Sequence, residues 1–146
     1  MPVSDQAVGK TFEPVVYAVG REKVKEYAHA VGETNPVHLD PAAARAAGYA
    51  DVVAPPMFAV VYSSAAIVPA IFDPAVGIDF AMMVHGGQEF VWGPLVVAGD
   101  EITTIASVKE IFTKGGNGFF VFETASTNQR GERVCTGTWT NIVRGV

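Results

Sequence analysis

Residues 52–72 carry no Asp, Glu, Lys or Arg. An uncharged run of that length has two homes, a bilayer or a protein interior. Its own residues decide between them. Pro55-Pro56 stand at its start, Ser63-Ser64 in its middle and Pro69 near its end, and both flanks are acidic, at Asp51 and Asp73. A spanning helix usually has a basic cytoplasmic flank instead. The run is therefore read as a buried helix of a soluble protein with no membrane span. Pro55 and Pro56 suit its start, because the first turn leaves its amide hydrogens unpaired in any case. From about residue 57 to 71 the helix is apolar nearly all round, so protein must surround it.

The second half of the chain supplies a wall. Residues 82–92, 100–113, 119–128 and 133–143 are rich in Val, Ile, Thr, Phe and Trp. Turn signals separate them: Gly93-Pro94, Gly115-Gly116-Asn117-Gly118 and Arg130-Gly131. Their length and spacing predict an antiparallel sheet. Residues 11–19 read as a further strand, with Pro14 placing it at an edge. Val24, Tyr27, Ala28 and Val31 form a narrow apolar stripe on a charged helix over residues 21–31, which Gly32 stops. Asp40 caps a short alanine-rich helix that opens on Pro41 and closes at Gly48. The expected architecture is α+β: a curved antiparallel sheet wrapped around one apolar helix, in one domain over residues 1–146.

Hydrophobic residues make up 49% of the chain and charged residues 17%, with a mean hydropathy of +0.27. A chain this small has too little interior for that much apolar surface, so a subunit interface is expected to take the excess. The net charge of -5 and scattered basic residues argue against nucleic acid. A single cysteine, Cys135, rules out an internal disulfide and fits a reducing compartment. Residues 1–10 lack a signal-peptide pattern, and a cytoplasmic location is expected. The three histidines show no metal-ligand spacing, so no metal is expected.

The chemistry concentrates in Tyr27-Ala28-His29-Ala30-Val31-Gly32-Glu33-Thr34-Asn35-Pro36-Val37-His38. A carboxylate, Glu33, and an imidazole, His38, lie five positions apart across an Asn-Pro that must interrupt a helix. Fixed on one tight turn, such a pair holds a water or shuttles a proton; the plainer alternative is that it caps and braces the turn. Asn35 suits a turn residue, with direct substrate contact as the other reading. His85, before Gly86-Gly87, faces either a ligand or a packed interface. Gly115-Gly116-Asn117-Gly118 lacks the Lys-Ser/Thr of a phosphate loop and reads as a hairpin, and Gly99-Asp100 reads as turn chemistry.

The pattern Tyr27…Gly32-Glu33-Thr34-Asn35-Pro36-Val37-His38…Ala43 resembles the hydratase motif of MaoC-like enzymes, roughly Y-x(4)-G-D-x-N-P-x-H-x(5)-A. Val53-Ala54-Pro55-Pro56-Met57 resembles that family's entry to its central helix, usually A-H-G-M, and Gln88…Phe90…Gly99-Asp100 resembles its strand-plus-turn signature. The likeness spans nearly the whole chain and is strongest to the N-terminal, FAS1-like dehydratase type, which includes the A subunits of two-component (3R)-hydroxyacyl thioester dehydratases. It implies a dimeric hotdog fold, no cofactor, and an acyl-CoA or acyl-ACP substrate of fatty-acid metabolism. It also implies Glu33 and His38 as the acid–base pair for reversible hydration of a trans-2-enoyl thioester. Asn35, Pro56, Met57, Phe58, His85 and Gly86 become the expected substrate contacts.

Three departures from the family pattern bear on that expectation. Glu33 replaces an aspartate, and misplacing a reacting group by about 1 Å can cost roughly a hundredfold in rate. Pro55-Pro56 replaces His-Gly, which removes the N–H donor expected at that glycine and leaves Met57 or Phe58 to polarise the thioester carbonyl. Pro94 sits one place early. Two readings remain open: a (3R)-specific hydratase or dehydratase subunit, or a non-catalytic acyl-binding subunit that pairs with a catalytic MaoC-like partner. The partner expected is a second hotdog subunit, as a homodimer or a heterodimer. A hotdog thioesterase would need a carboxylate on the central helix, and residues 57–71 contain none.

Overall fold

The computed structural model describes residues 3–146; Met1 and Pro2, counted above within the domain, lie outside the described residues. Five strands form one antiparallel sheet in the order β1-β3-β4-β5-β2. They are β1 (Val15–Ala18), β2 (Met83–Trp92), β3 (Glu101–Lys114), β4 (Asn117–Thr127) and β5 (Arg133–Arg144). The four long strands fall where the β-branched and aromatic runs predict them. The strand expected over residues 11–19 is shorter, and Thr11 makes only an isolated bridge to Ser107. Pro14 lies between the two and has no amide hydrogen for the ladder, so β1 is a short edge strand.

The β3–β4 hairpin shows how locally the sheet is specified. Lys114 pairs with Asn117, leaving Gly115 and Gly116 as a two-residue loop with φ of 59° and 74°. That loop needs left-handed backbone at both positions, which the glycine pair provides.

Before the sheet come α1 (Arg21–Ala30) and α2 (Pro41–Ala46), as the apolar stripe and the Asp40 cap predict. The Asp40 side chain accepts from the Ala42 N–H at 2.9 Å. The central segment differs from the single continuous helix expected. It is a 3-10 turn (Pro56–Phe58), then α3 (Ala59–Ser63), a second 3-10 turn (Ser64–Ala66) and α4 (Val68–Ile71). Two residues explain the breaks. The buried Ser63 hydroxyl bonds back to the Ala59 carbonyl, which bends a helix, and Pro69 has no N–H to continue the ladder.

One side of that segment supplies the core. Phe58 is fully buried, with the rings of Tyr17, Tyr27 and Tyr62 at 6.2, 5.4 and 6.3 Å. Below it lie Phe120, Phe122, Ile102 and Trp139 of the sheet. Burying one such side chain contributes about 1.5–3 kcal/mol. The other side is open, with Met57, Val68 and Phe72 each about half exposed. The helix apolar all round is thus covered on one face only within this chain. No helix among the described residues is long and apolar enough to cross a membrane.

Candidate functional site

The end of α1 places Glu33. The Gly32 N–H donates to the His29 carbonyl at 3.2 Å, and the Glu33 N–H reaches back to the Ala28 carbonyl at 2.8 Å. This paired closure is a Schellman cap, which requires a left-handed residue after the helix. Gly32 provides it at φ 76°. Glu33 therefore leaves the helix in a defined direction.

Asn35 and Pro36 then start a single 3-10 turn, Pro36–His38. The Asn35 side-chain oxygen accepts from the Val37 N–H at 3.2 Å, and its carbonyl accepts from the His38 N–H at 3.1 Å. Asn35 is thus engaged in building the turn, the first of its two readings.

The turn carries His38 back toward Glu33. Nε2 of His38 lies 3.9 Å from Oε2 of Glu33, with the imidazole mostly buried and the carboxylate about one-third exposed. The other ring nitrogen, Nδ1, is 2.6 Å from the Val53 carbonyl oxygen. A carbonyl only accepts, so Nδ1 carries the hydrogen and Nε2 of the neutral ring is a bare lone pair. The two acceptors, Nε2 and the carboxylate, stand at a separation that one water molecule can bridge with both its hydrogens. The sequence brought Glu33 and His38 into view; nothing in its pattern pointed to the Val53 carbonyl that orients the ring.

Val53 leads directly into the central segment. Pro55 and Pro56 lack amide hydrogens, and the Phe58 N–H is already bonded to the Pro55 carbonyl at 2.9 Å. The Met57 amide stands at the second position of the 3-10 turn, where the helix itself offers no acceptor. Of the two donors considered for this entrance, the Phe58 N–H is taken up by the backbone and the Met57 N–H is not. The Phe58 side chain sits in the core rather than at a ligand surface.

Beside this entrance lies an apolar cleft of about 210 Å³, walled by Pro55, Pro56, Tyr62, Trp92, Leu95 and Val134 among others. The Trp92 indole N–H donates to the Pro56 carbonyl at 2.9 Å and ties the end of β2 to the entrance. Burial raises the pKa of the Tyr62 hydroxyl, and burial likewise raises that of the neighbouring Cys135 thiol, so both stay protonated. Glu33 and His38 are not wall residues of this cleft. Residues 52–54 stand between, bonded to the His38 turn on one side and to residues 96–98 on the other.

His85 and Gly86 lie on β2, the long edge strand. His85 is exposed, with its ring 6.0 Å from that of Trp139. Gly86 is the extra residue of a bulge; a Cβ there would come within 2.4 Å of the Ile142 side chain. Among the described residues no hydrogen bond or ring contact joins either one to the Glu33–His38 turn. No cluster of three metal-ligating side chains occurs among the described residues.

Residues 6–137 match the family described as FAS1-like, dehydratase domain region. A UPF0336 protein of Clavibacter michiganensis subsp. michiganensis is 47% identical over 146 residues, covering 99% of this chain and 98% of that protein. Among solved structures, a C-terminally truncated HadBC (3R-hydroxyacyl-ACP dehydratase) complex from Mycobacterium tuberculosis superposes with a TM-score of 0.81 at 28% identity, covering 94% of this chain and 97% of that one. A MaoC-like dehydratase superposes with a TM-score of 0.86 at 32% identity over 97% of this chain, which spans 43% of that longer one.

Proposed function

Since the chain belongs to the FAS1-like dehydratase family and shares the hotdog fold of MaoC-like dehydratases, we propose that it is a (3R)-specific hydratase or dehydratase subunit. In this reading it is one hotdog domain that interconverts trans-2-enoyl and 3-hydroxyacyl thioesters of CoA or acyl carrier protein. The carrying observation is the 3.9 Å approach of Glu33 Oε2 to His38 Nε2, with Nδ1 tied to Val53.

Water held between the two acceptors has its oxygen free to meet C3 of the substrate. As that oxygen bonds to C3, Nε2 takes one of the water protons, and the alkene electron pair moves toward the thioester carbonyl. The proton then returns to C2, so hydroxyl and hydrogen add across the double bond; dehydration is the same path reversed. The Met57 N–H is the donor that meets the carbonyl oxygen as it gains charge. Asn35 keeps the turn in shape, Pro56 and Met57 border the thioester, and His85 and Gly86 line a more distant part of the ligand path.

The open edge of β2 and its exposed apolar residues support a subunit interface. Val84, Val91 and Trp92, with Leu95 just beyond the strand, are each 41–63% exposed. A second hotdog subunit, identical or different, would cover them, and the HadBC neighbour is itself a complex of this kind. A second reading has its own observation. With Pro55, Pro56 and Phe58 all unable to donate, one amide remains at the helix entrance, which fits an acyl-binding subunit that serves a catalytic partner.

The purified protein, assayed with crotonyl-CoA and a longer enoyl-CoA, separates the two. Loss of enoyl-thioester absorbance that disappears in both Glu33→Gln and His38→Ala supports the enzyme. No turnover alone, with turnover restored by a MaoC-like partner and unaffected by those substitutions, replaces it with the acyl-binding subunit.

A further inference from the structure

His38 is held from outside its own turn. On one side of residues 52–54, the Val53 N–H donates to the Val37 carbonyl at 2.9 Å and the Val53 carbonyl accepts from His38 Nδ1 at 2.6 Å. On the other side, the Ala54 N–H donates to the Val96 carbonyl at 2.8 Å and the Ala98 N–H to the Val52 carbonyl at 3.0 Å. The result is a short ladder of three segments with His38 at one end.

At the far end, Val97 presents its own N–H and carbonyl outward, and Asp100 meets both. Carboxylate Oδ2 accepts from the Val97 N–H at 3.0 Å, and the Asp100 N–H donates to the Val97 carbonyl at 3.1 Å. Asp100 takes the place of a next strand, satisfying backbone groups that would otherwise be orphaned beside a buried loop.

Asp100 is itself fixed on every side. It is only 3% exposed. Its Oδ1 accepts from the Gln129 amide at 2.8 Å and lies 3.8 Å from an Arg130 guanidinium nitrogen. The Gln129 oxygen in turn accepts from the Glu101 N–H at 3.0 Å, and the Asp100 carbonyl accepts from the Val19 N–H at 2.9 Å. A carboxylate this deep is costly unless donors meet both oxygens, and here they do. Every group from Asp100 to the imidazole is buried or hydrogen-bonded, so a displacement at one end has no slack to absorb it.

We infer that Asp100 is a positioning residue for His38: it sets residues 96–98, which set residues 52–54, whose Val53 carbonyl selects the Nδ1–H tautomer and aims Nε2 at Glu33. It touches neither substrate nor reacting atoms. The inference rests on the proposed catalytic role of His38 for its kinetic consequence only; the tautomer is readable without turnover.

The test combines long-range ¹⁵N–¹H spectra of the imidazole with kinetics of enoyl-CoA hydration on the intact protein. Asp100→Ala is expected to replace the single Nδ1–H signature of His38 with a mixture of tautomers, and to lower kcat about a hundredfold with little change in KM. Asp100→Asn keeps an oxygen for the Val97 N–H but sets its own NH2 against the Gln129 donor, and is expected to recover part of both. Gln129→Ala, at an exposed position, folds in either case and should shift the His38 spectrum in the same direction by less.

A lower melting temperature in Asp100→Ala, with the imidazole spectrum and kcat unchanged, would make Asp100 purely structural. If Asp100→Ala does not fold, an unaltered His38 spectrum in Gln129→Ala overturns the inference equally. Absence of turnover in the unmodified protein would sink the catalytic reading alone, and the spectra would still decide the role of Asp100.

Discussion

Nδ1 of His38 donates to the Val53 carbonyl at 2.6 Å, so the ring has two separable duties. One nitrogen closes a hydrogen bond that joins the turn to the central segment; the other faces Glu33 at 3.9 Å and is the atom to which the proposed reaction assigns the proton transfer. The side-chain nitrogen of an asparagine occupies nearly the position of Nδ1 but nothing occupies that of Nε2. His38→Ala should therefore lose about 1 kcal/mol in urea unfolding, the usual net worth of such a bond. His38→Asn should regain most of that stability while remaining as inactive as the alanine variant. Equal stability of the two variants would show that the Val53 contact contributes nothing in solution.

Gly32 gives the second prediction. Its φ of 76° closes the Schellman cap that aims Glu33, and a Cβ there would meet no atom within 4 Å. The cost of Gly32→Ala is therefore backbone strain without a clash, about 1–2 kcal/mol. Relief of that strain would swing Glu33 away from His38. Denaturant unfolding should show the lost stability, and steady-state kinetics should show kcat falling more than KM rises.

Much of this arrangement is legible in the residues, and the parts that are not share a cause. Gly32, Asn35-Pro36 and Asp40 act through their own backbone within a few positions, so α1, the turn and α2 follow from local chemistry. The four long strands follow from β-branched runs punctuated by glycine. The central segment does not: its apolar run predicts burial, but Ser63 and Pro69 break it into short turns, and its outer face is exposed. The Val53 carbonyl and the Asp100 brace were also out of reach. A backbone oxygen has no sequence signature, and Gly99-Asp100 is indistinguishable from an ordinary turn until residues 52–54 and 96–98 are seen side by side.

The pH dependence of stability has a definite sign. Hydrogen bonding to Arg21 holds the Asp51 carboxyl below the ordinary range, and Lys10 does the same for Asp73. Asn128 and then Arg130 lower Glu132. Each folded-state value lies below its unfolded value, so the unfolded chain binds more protons in acid. The stabilisation is present above the unfolded values, near pH 4, and is lost as pH falls through the folded ones. The melting temperature should decline steadily below about pH 4. Asp51→Asn should melt lower than the unmodified protein at pH 7 and converge with it in strong acid, a comparison that thermal melts across pH provide directly.

The last prediction concerns polar groups that the fold leaves unpaired. Residues 85 and 88 would face opposite sides of a regular strand, but the bulge at Gly86 puts both on one face, where Gln88 pairs across from Trp139 and the exposed His85 from Asn141. Both amide atoms of Gln88 and the Asn141 side-chain nitrogen are buried without a partner among the described residues. Leaving such a group unmet costs about 1–3 kcal/mol, whereas an apolar side chain of similar shape incurs no such cost. Gln88→Met should therefore raise the melting temperature, by about 2–4 °C for each kcal/mol recovered in a chain of this size. Asn141→Leu should act in the same direction, and because the two residues lie near one another the double substitution should deviate from additivity. A fall in melting temperature for Gln88→Met would mean that its amide is hydrogen-bonded in solution, through ordered water under the helix.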